Sequence, residues 1–165
     1  MVSRRVHPQA VKKIIEQYAH PIVFVSVGKS VVMPEYYDVS EVNATFITTV
    51  GVNFVGDNVV KLSSEEVNTQ DYIGASDYVI SKTGWSTLAE IFLNGKKAAF
   101  IPRGQNEEDE EVVRQMEESN CGLIYELGDL KNISKILSDL GDFMPNNLQM
   151  FHDVSSQIAR YLYKL

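Results

Sequence analysis

"SKTGWSTLAEIFLNGKKAAFIPR", residues 81–103, carries the alternation that decides the fold. The apolar run "DYVIS" (77–81) leads into Lys82, Thr83, Gly84, Trp85, Ser86 and Thr87. Leu88, Ile91 and Phe92 then recur at helical spacing, and Asn94-Gly95 supplies a helix stop. "KAAFIP" follows as a second β-branched and apolar run, closed by Pro102. Strand, helix and strand in so few residues predict parallel strands joined by a helix packed on the sheet.

The same rhythm extends in both directions. "PQAVKKIIEQYAH" reads as a helix with Pro8 in its first turn and Val11, Ile14 and Ile15 on one face. "PIVFVSVG" is a continuous apolar run stopped by Gly28, as in a strand buried on both faces. "ATFITTVG" and "NVVKLS" are two more such runs. Around "MPEYYDVSEV" there is room only for a short helix or an irregular loop. Downstream come the helix "DEEVVRQMEES", the strand "GLIYEL", the helix "DLKNISKILSDL" and an amphipathic helix within "LQMFHDVSSQIARYLYKL". The predicted fold is α/β: a Rossmann-like, doubly wound, mostly parallel sheet flanked by helices. Residues 1–20 are read as linker and leading helix, and 21–165 as one domain.

Composition narrows the function. A chain of 165 residues suits one domain with a sizeable core. Its net charge of −7 argues against nucleic acid, which calls for many Lys and Arg against phosphates. It leaves room for a small anion held by backbone N–H groups at a helix mouth. The single cysteine, Cys121, precludes an internal disulfide, and "MVSRRVHPQAVKK" lacks the apolar core of a signal peptide. No run approaches the roughly 18 apolar residues of a membrane span, so the expected setting is cytoplasmic.

Ligands of open α/β sheets bind beyond the carboxyl ends of the strands. That directs attention to Gly28–Ser30, Lys61–Ser64, Lys82–Thr87 and Arg103–Asn106. "VGKSV" (27–31) resembles the end of a P-loop, but Val23 stands where that motif requires Gly, so the triphosphatase reading fails. In "TGWSTLAE", Thr87 and Glu90 have the spacing of a capping box. The combination also suits a ligand. Gly84 opens the backbone, Ser86 and Thr87 add hydroxyls at a dipole-positive terminus, and Glu90 lies one turn deeper. A diphosphate fits such a mouth, and the carboxylate would accept both hydroxyls of a ribose.

The stretch "ASDYVISKTGWSTLAEIFLNGKKAAFIPR", with Asp77, Ser81, Gly84, Ser86, Thr87, Glu90, Gly95 and Pro102, resembles the donor-binding, carboxy-terminal half of GT-B-fold glycosyltransferases, the MurG-like or family 28 group. "VFVSVGKS" resembles that family's first strand and glycine turn, and the likeness spans roughly residues 20 to 140. It implies a UDP-sugar donor for hexosyl or N-acetylhexosaminyl transfer, with Glu90 on the ribose. Gly28, Ser30, Gly84, Ser86 and Thr87 would cradle the diphosphate, Lys82 would add positive charge, and Thr83 belongs to the same donor-binding set. Leu62 and Ser63 would sit by the uracil, and Arg103, in the donor-binding set, would fit the Arg that some relatives pair with a downstream Glu after this strand. Arg5 lies where relatives carry a linker Arg, and Glu110 or Glu111 lies near the position of a sugar-selecting Gln. No metal or other cofactor is implied. The catalytic base belongs to a second, acceptor-binding domain or a separate acceptor subunit, which would also bring the chain to the membrane surface. His7, His20 and His152 read as boundary or surface residues. Two rival readings are a sugar-nucleotide epimerase or hydrolase half, and a non-catalytic sugar-nucleotide-binding module.

Overall fold

The computed structural model describes residues 3–28, 33–104, 107–145 and 153–162. Its elements are α1 (Pro8–Gln17), β1 (Ile22–Ser26), β2 (Tyr37–Asp38), β3 (Thr45–Thr48), β4 (Phe54–Val55), β5 (Val59–Lys61), α2 (Thr69–Ala75) and β6 (Tyr78–Lys82). They continue with α3 (Trp85–Leu93), β7 (Lys97–Ile101), α4 (Glu107–Ser119), β8 (Leu123–Ile124), a 3₁₀ turn (Leu127–Asn132), α5 (Ile133–Asp142) and α6 (Ser155–Leu162). Six strands form one sheet in the order β5-β3-β1-β6-β7-β8, and each adjacent pair is parallel. The doubly wound α/β fold expected from the sequence is the fold observed.

Strand periodicity explains the two cores. In β1, Val23 and Val25 face one side with Phe46, Ile80, Ala99 and Ile101, under Leu130, Ile133, Ile136 and Leu140. Ile22 and Phe24 face the other side with Ile47, Val79, Ala98 and Phe100, against Leu88, Ile91 and Phe92 of α3 and Val112 and Met116 of α4. Both faces are therefore apolar, and each strand reads as an unbroken hydrophobic run. Cys121 is buried in the second of these cores.

Three details differ from the sequence reading. "MPEYYDVSEV" is neither helix nor plain loop: it contains β2, which pairs with β4 in a small parallel ladder. Long-range packing imposes this, since Tyr37 and Phe54 join the first core and Phe54 meets the Phe46 ring edge-on at 5.5 Å. Asn58 clamps the same insertion, donating to the carbonyls of Val39, Val42 and Ala44. The short α2, which has no clear apolar stripe in sequence, precedes β6 and packs on α1. The expected last helix is seen only as α6: Asp153 and Val154 ahead of it are not helical, and the rest falls on residues outside those described. Among the described residues no helix is long and apolar enough to cross a membrane.

Candidate functional site

The sheet changes direction beside β1. From β1 the chain winds outward through β3 and β5, then returns to β6 on the other side and continues to β7 and β8. The crevice at the carboxyl ends of β1 and β6 is the topological switch point, where such sheets take their ligands. Gly28, just past β1, adopts φ +66°, and Gly84 follows β6. The Lys82 side chain lies over both glycines. A β-carbon built on Gly28 would stand 3.0 Å from Lys82 Cε and 3.2 Å from its Nζ, and one on Gly84 would stand 3.4 Å from Cε. Lys82 thus places its ammonium in the crevice between the two turns. Gly51, at φ +95°, comes near the Gly28 carbonyl from the β3 side.

Helix α3 opens directly onto this crevice. Its N-cap is Gly84, in extended conformation with no capping side chain, so the terminus keeps its positive pole for an outside acceptor. The capping box anticipated at Thr87 and Glu90 does not form. The helix begins at Trp85, which puts Thr87 inside the first turn and Glu90 in the second. Ser86 is exposed and Thr87 half-buried at the mouth.

Glu90 is buried, and Arg4 holds it. Arg4 Nε donates to Oε1 at 2.7 Å and Nη2 to Oε2 at 3.2 Å. The same guanidinium donates to Thr69 Oγ1 at 2.8 Å and to the Val67 carbonyl. The neighbouring Arg5, which the resemblance matched to a linker Arg, is exposed. Nothing in "SRRVHP" separates two adjacent arginines outside any periodic element; only the packing of this segment does.

Arg103 is also engaged. Its backbone N–H donates to Asp109 Oδ2 at 2.6 Å, and its Nε and Nη2 donate to Asp109 Oδ1 at 3.0 and 2.5 Å. Burial pushes the Asp109 carboxyl up, but hydrogen bonds from the Arg103 side chain and backbone, together with the Arg103 charge, outweigh it. The net result is a carboxyl held below its usual 3.8. Thr83, a candidate from the sequence, is fully buried and its hydroxyl has no hydrogen-bond partner among the described residues, so it does not face the crevice as Ser86 does. The carboxylate that turns inward from the acidic start of α4 is therefore Asp109, not Glu110 or Glu111: Glu110 is exposed, and Glu111 pairs with Arg114 on the wet face. A helical signal for this exists in the sequence, because Asp109, Val112 and Met116 lie three and four residues apart on one buried face.

The remaining candidates spread along the same edge of the sheet. Leu62 follows β5, donating its N–H to the Thr48 carbonyl, and is packed in the second core. Ser63 is exposed, its hydroxyl accepting the Glu65 N–H at 3.2 Å. Ser30 and His152 lie outside the described residues. His20 and Asp77 sit at the opposite, amino end of the strands, where Asp77 Oδ2 accepts from Ile22 N–H at 2.7 Å and lies 2.6 Å from His20 Nδ1. His7 is joined to the buried Asp71 through both its backbone N–H (2.7 Å) and its ring Nδ1 (2.9 Å), which fixes the start of α1.

A parallel sheet with an uncapped helix terminus, two glycine turns and a lysine at its switch point defines a Rossmann-like domain. Residues 23–161 match the model of the glycosyltransferase family 28 C-terminal domain, and the chain belongs to that family. The fold is similar to that of glycosyltransferase VinC, solved in complex with dTDP: TM-score 0.60, 16% identity, 83% of this chain and 36% of that one. It is also similar to the glycosyltransferase SnogD of Streptomyces nogalater, with TM-score 0.54, 16% identity and coverage of 88% and 45%. For MurG of Acinetobacter baumannii the values are TM-score 0.56, 13% identity, and coverage of 94% and 53%. The chain thus spans about a third to a half of the length of these GT-B enzymes. No curated protein matches it in sequence.

Proposed function

We propose that this domain binds a UDP-sugar and presents it for transfer of a hexosyl or N-acetylhexosaminyl group. The observation that carries the reading is the uncapped amino end of α3, placed at the switch point with Lys82 lying across Gly28 and Gly84. Its dipole and that ammonium are arranged for a diphosphate. An acceptor oxygen would attack the anomeric carbon as the bond to the diphosphate oxygen breaks. UDP then leaves, its developing charge met by α3 and Lys82 in a pre-oriented site. The acceptor's proton goes to a base that this reading assigns to an accompanying acceptor domain or subunit, which would also provide any contact with a membrane surface. Within this domain Glu90 accepts the ribose hydroxyls, and the segment after β5 borders the uracil.

Trp85, the single tryptophan, is 44% exposed at the first position of α3, so it reports on the diphosphate mouth directly. Titration with UDP should change its fluorescence saturably, with calorimetry giving the same Kd. dTDP lacks the second ribose hydroxyl and should bind more weakly. A flat response to both nucleotides, with the chain folded, would exclude the donor reading.

Gly28→Ala is expected to do two things. Alanine at φ +66° costs about 1 kcal/mol of stability, read by urea denaturation. Its methyl group also meets the Lys82 tip and displaces it, so UDP affinity should fall several-fold. A stability loss with unchanged affinity would remove Lys82 from the phosphate site.

A further inference from the structure

The Arg4–Glu90 pair has a consequence for the donor site, and it rests on the reading that Glu90 takes the ribose. The Glu90 side chain is only 4% exposed, while that of its partner Arg4 is 51% exposed. The guanidinium takes one lone pair of each carboxylate oxygen and, with the side chain only 4% exposed, lies over the approach by which a sugar hydroxyl would reach the others. One of the two must move before a nucleoside binds. Glu90 is fixed, because it projects from α3 between Ala89 and Ile91, both buried in the helix's packed face. Arg4 is not: it belongs to a non-helical stretch ahead of α1 and is held by polar contacts at a half-exposed surface.

We propose that residues 3–6 form a strap that closes the nucleotide site, with Arg4 as its latch, and that donor binding requires the latch to release. The anchor of the strap is at its far end. Val6 packs where Gly74 leaves space beside Val11, and the His7 N–H is bound to buried Asp71. Release therefore pivots ahead of His7 and leaves α1 in place. The latch engages two sides of the site together. Besides Glu90 it holds the Val67 carbonyl and the Thr69 hydroxyl, in the segment that runs from Leu62 and Ser63 into α2. Opening it frees the ribose carboxylate and the stretch expected beside the base in one step. A half-exposed ion pair is weak in net terms, so the gate is soft and a tightly held nucleotide displaces it.

The test is UDP binding by the full chain and its Arg4→Gln variant, with exchange of backbone amides followed in the wild-type protein. Arg4→Gln is expected to tighten UDP binding by about 3- to 10-fold. In a Glu90→Ala background the same change should give no gain, since the latch then has no carboxylate to cover. In the wild-type chain, saturating UDP should speed amide exchange across residues 3–6 while α3 becomes more protected. Equal or weaker binding by Arg4→Gln, or slower exchange of residues 3–6 with UDP, overturns the strap: Arg4 would then be part of the donor pocket. Should Arg4→Gln not fold, the wild-type exchange result decides. If UDP binds neither protein, the donor reading fails and the strap falls with it. UDP bound normally with the latch unchanged sinks the strap alone.

Discussion

Asp109→Ala should lower the free energy of unfolding by about 3–5 kcal/mol, toward the lower end because the Arg103 side chain keeps 18% exposure. The alanine removes the acceptor of the Arg103 backbone N–H and of its Nε and Nη2 together, and leaves a cationic group in a nearly closed site. The loss should appear as a lower urea midpoint at an unchanged slope. Asp109→Asn keeps the shape and separates charge from volume. In the folded chain the Asp109 carboxyl ionises more readily than its usual 3.8, so its contribution is present in full above the unfolded value. It disappears as pH falls through the lower folded value. Wild-type stability should therefore decline between about pH 5 and pH 2, and Asp109→Asn, weaker at pH 7, should show a shallower decline. Parallel acid limbs for the two proteins would mean that this carboxylate is not held ionised by Arg103.

The same cluster limits what Arg103 does for a donor. Its guanidinium is committed to Asp109, on the flank of the switch point next to Lys82, so it reaches a sugar only from that pairing. A structural role follows directly: the clamp ties the end of β7 to the first turn of α4. Any contact that the start of α4 makes with a sugar depends on this tie, which links the stability measurement above to the site.

Much of this was legible in the sequence because the relevant signals are local. Runs such as "PIVFVSVG" and "KAAFIP" are apolar because both sheet faces are covered, and the pattern survives any detail of packing. Gly28 and Gly84 mark turns at strand ends, the first of them at a positive φ that favours glycine. The failures came where distant segments decide. β2 and β4 are two residues each, too short for any periodicity, and exist because Phe54 seats on Phe46. Thr87 and Glu90 match a capping box in spacing, yet the helix starts earlier, since Gly84 turns the chain out of β6 and α3 begins at once. Arg4 and Glu90 are 86 positions apart, and no local rule connects them. Asp109 is the intermediate case: its helical register with Val112 and Met116 was readable, but the run of carboxylates around it masked the one that points inward.

Glu90→Ala gives the most direct reading of the site. A carboxylate accepting hydroxyls contributes about 1–3 kcal/mol, so its removal weakens UDP binding by roughly 5- to 150-fold. In the wild-type background the observed loss should sit near the lower end, because Arg4 already competes for the carboxylate and the mutation removes competitor and ligand contact together. In an Arg4→Gln background the full loss should emerge. The two substitutions are thus non-additive, with a coupling energy that measures the latch. Stability separates the roles further. In the nucleotide-free chain, where the latch is closed, loss of this half-exposed pair costs about 0.5–1 kcal/mol, which should be seen in urea without ligand. A Glu90 that only anchors the segment ahead of α1 would show that stability loss with an unchanged Kd for UDP. A Glu90 that seats the ribose shows both losses, and the loss of affinity should be greater for UDP than for dTDP, which has one hydroxyl fewer to lose.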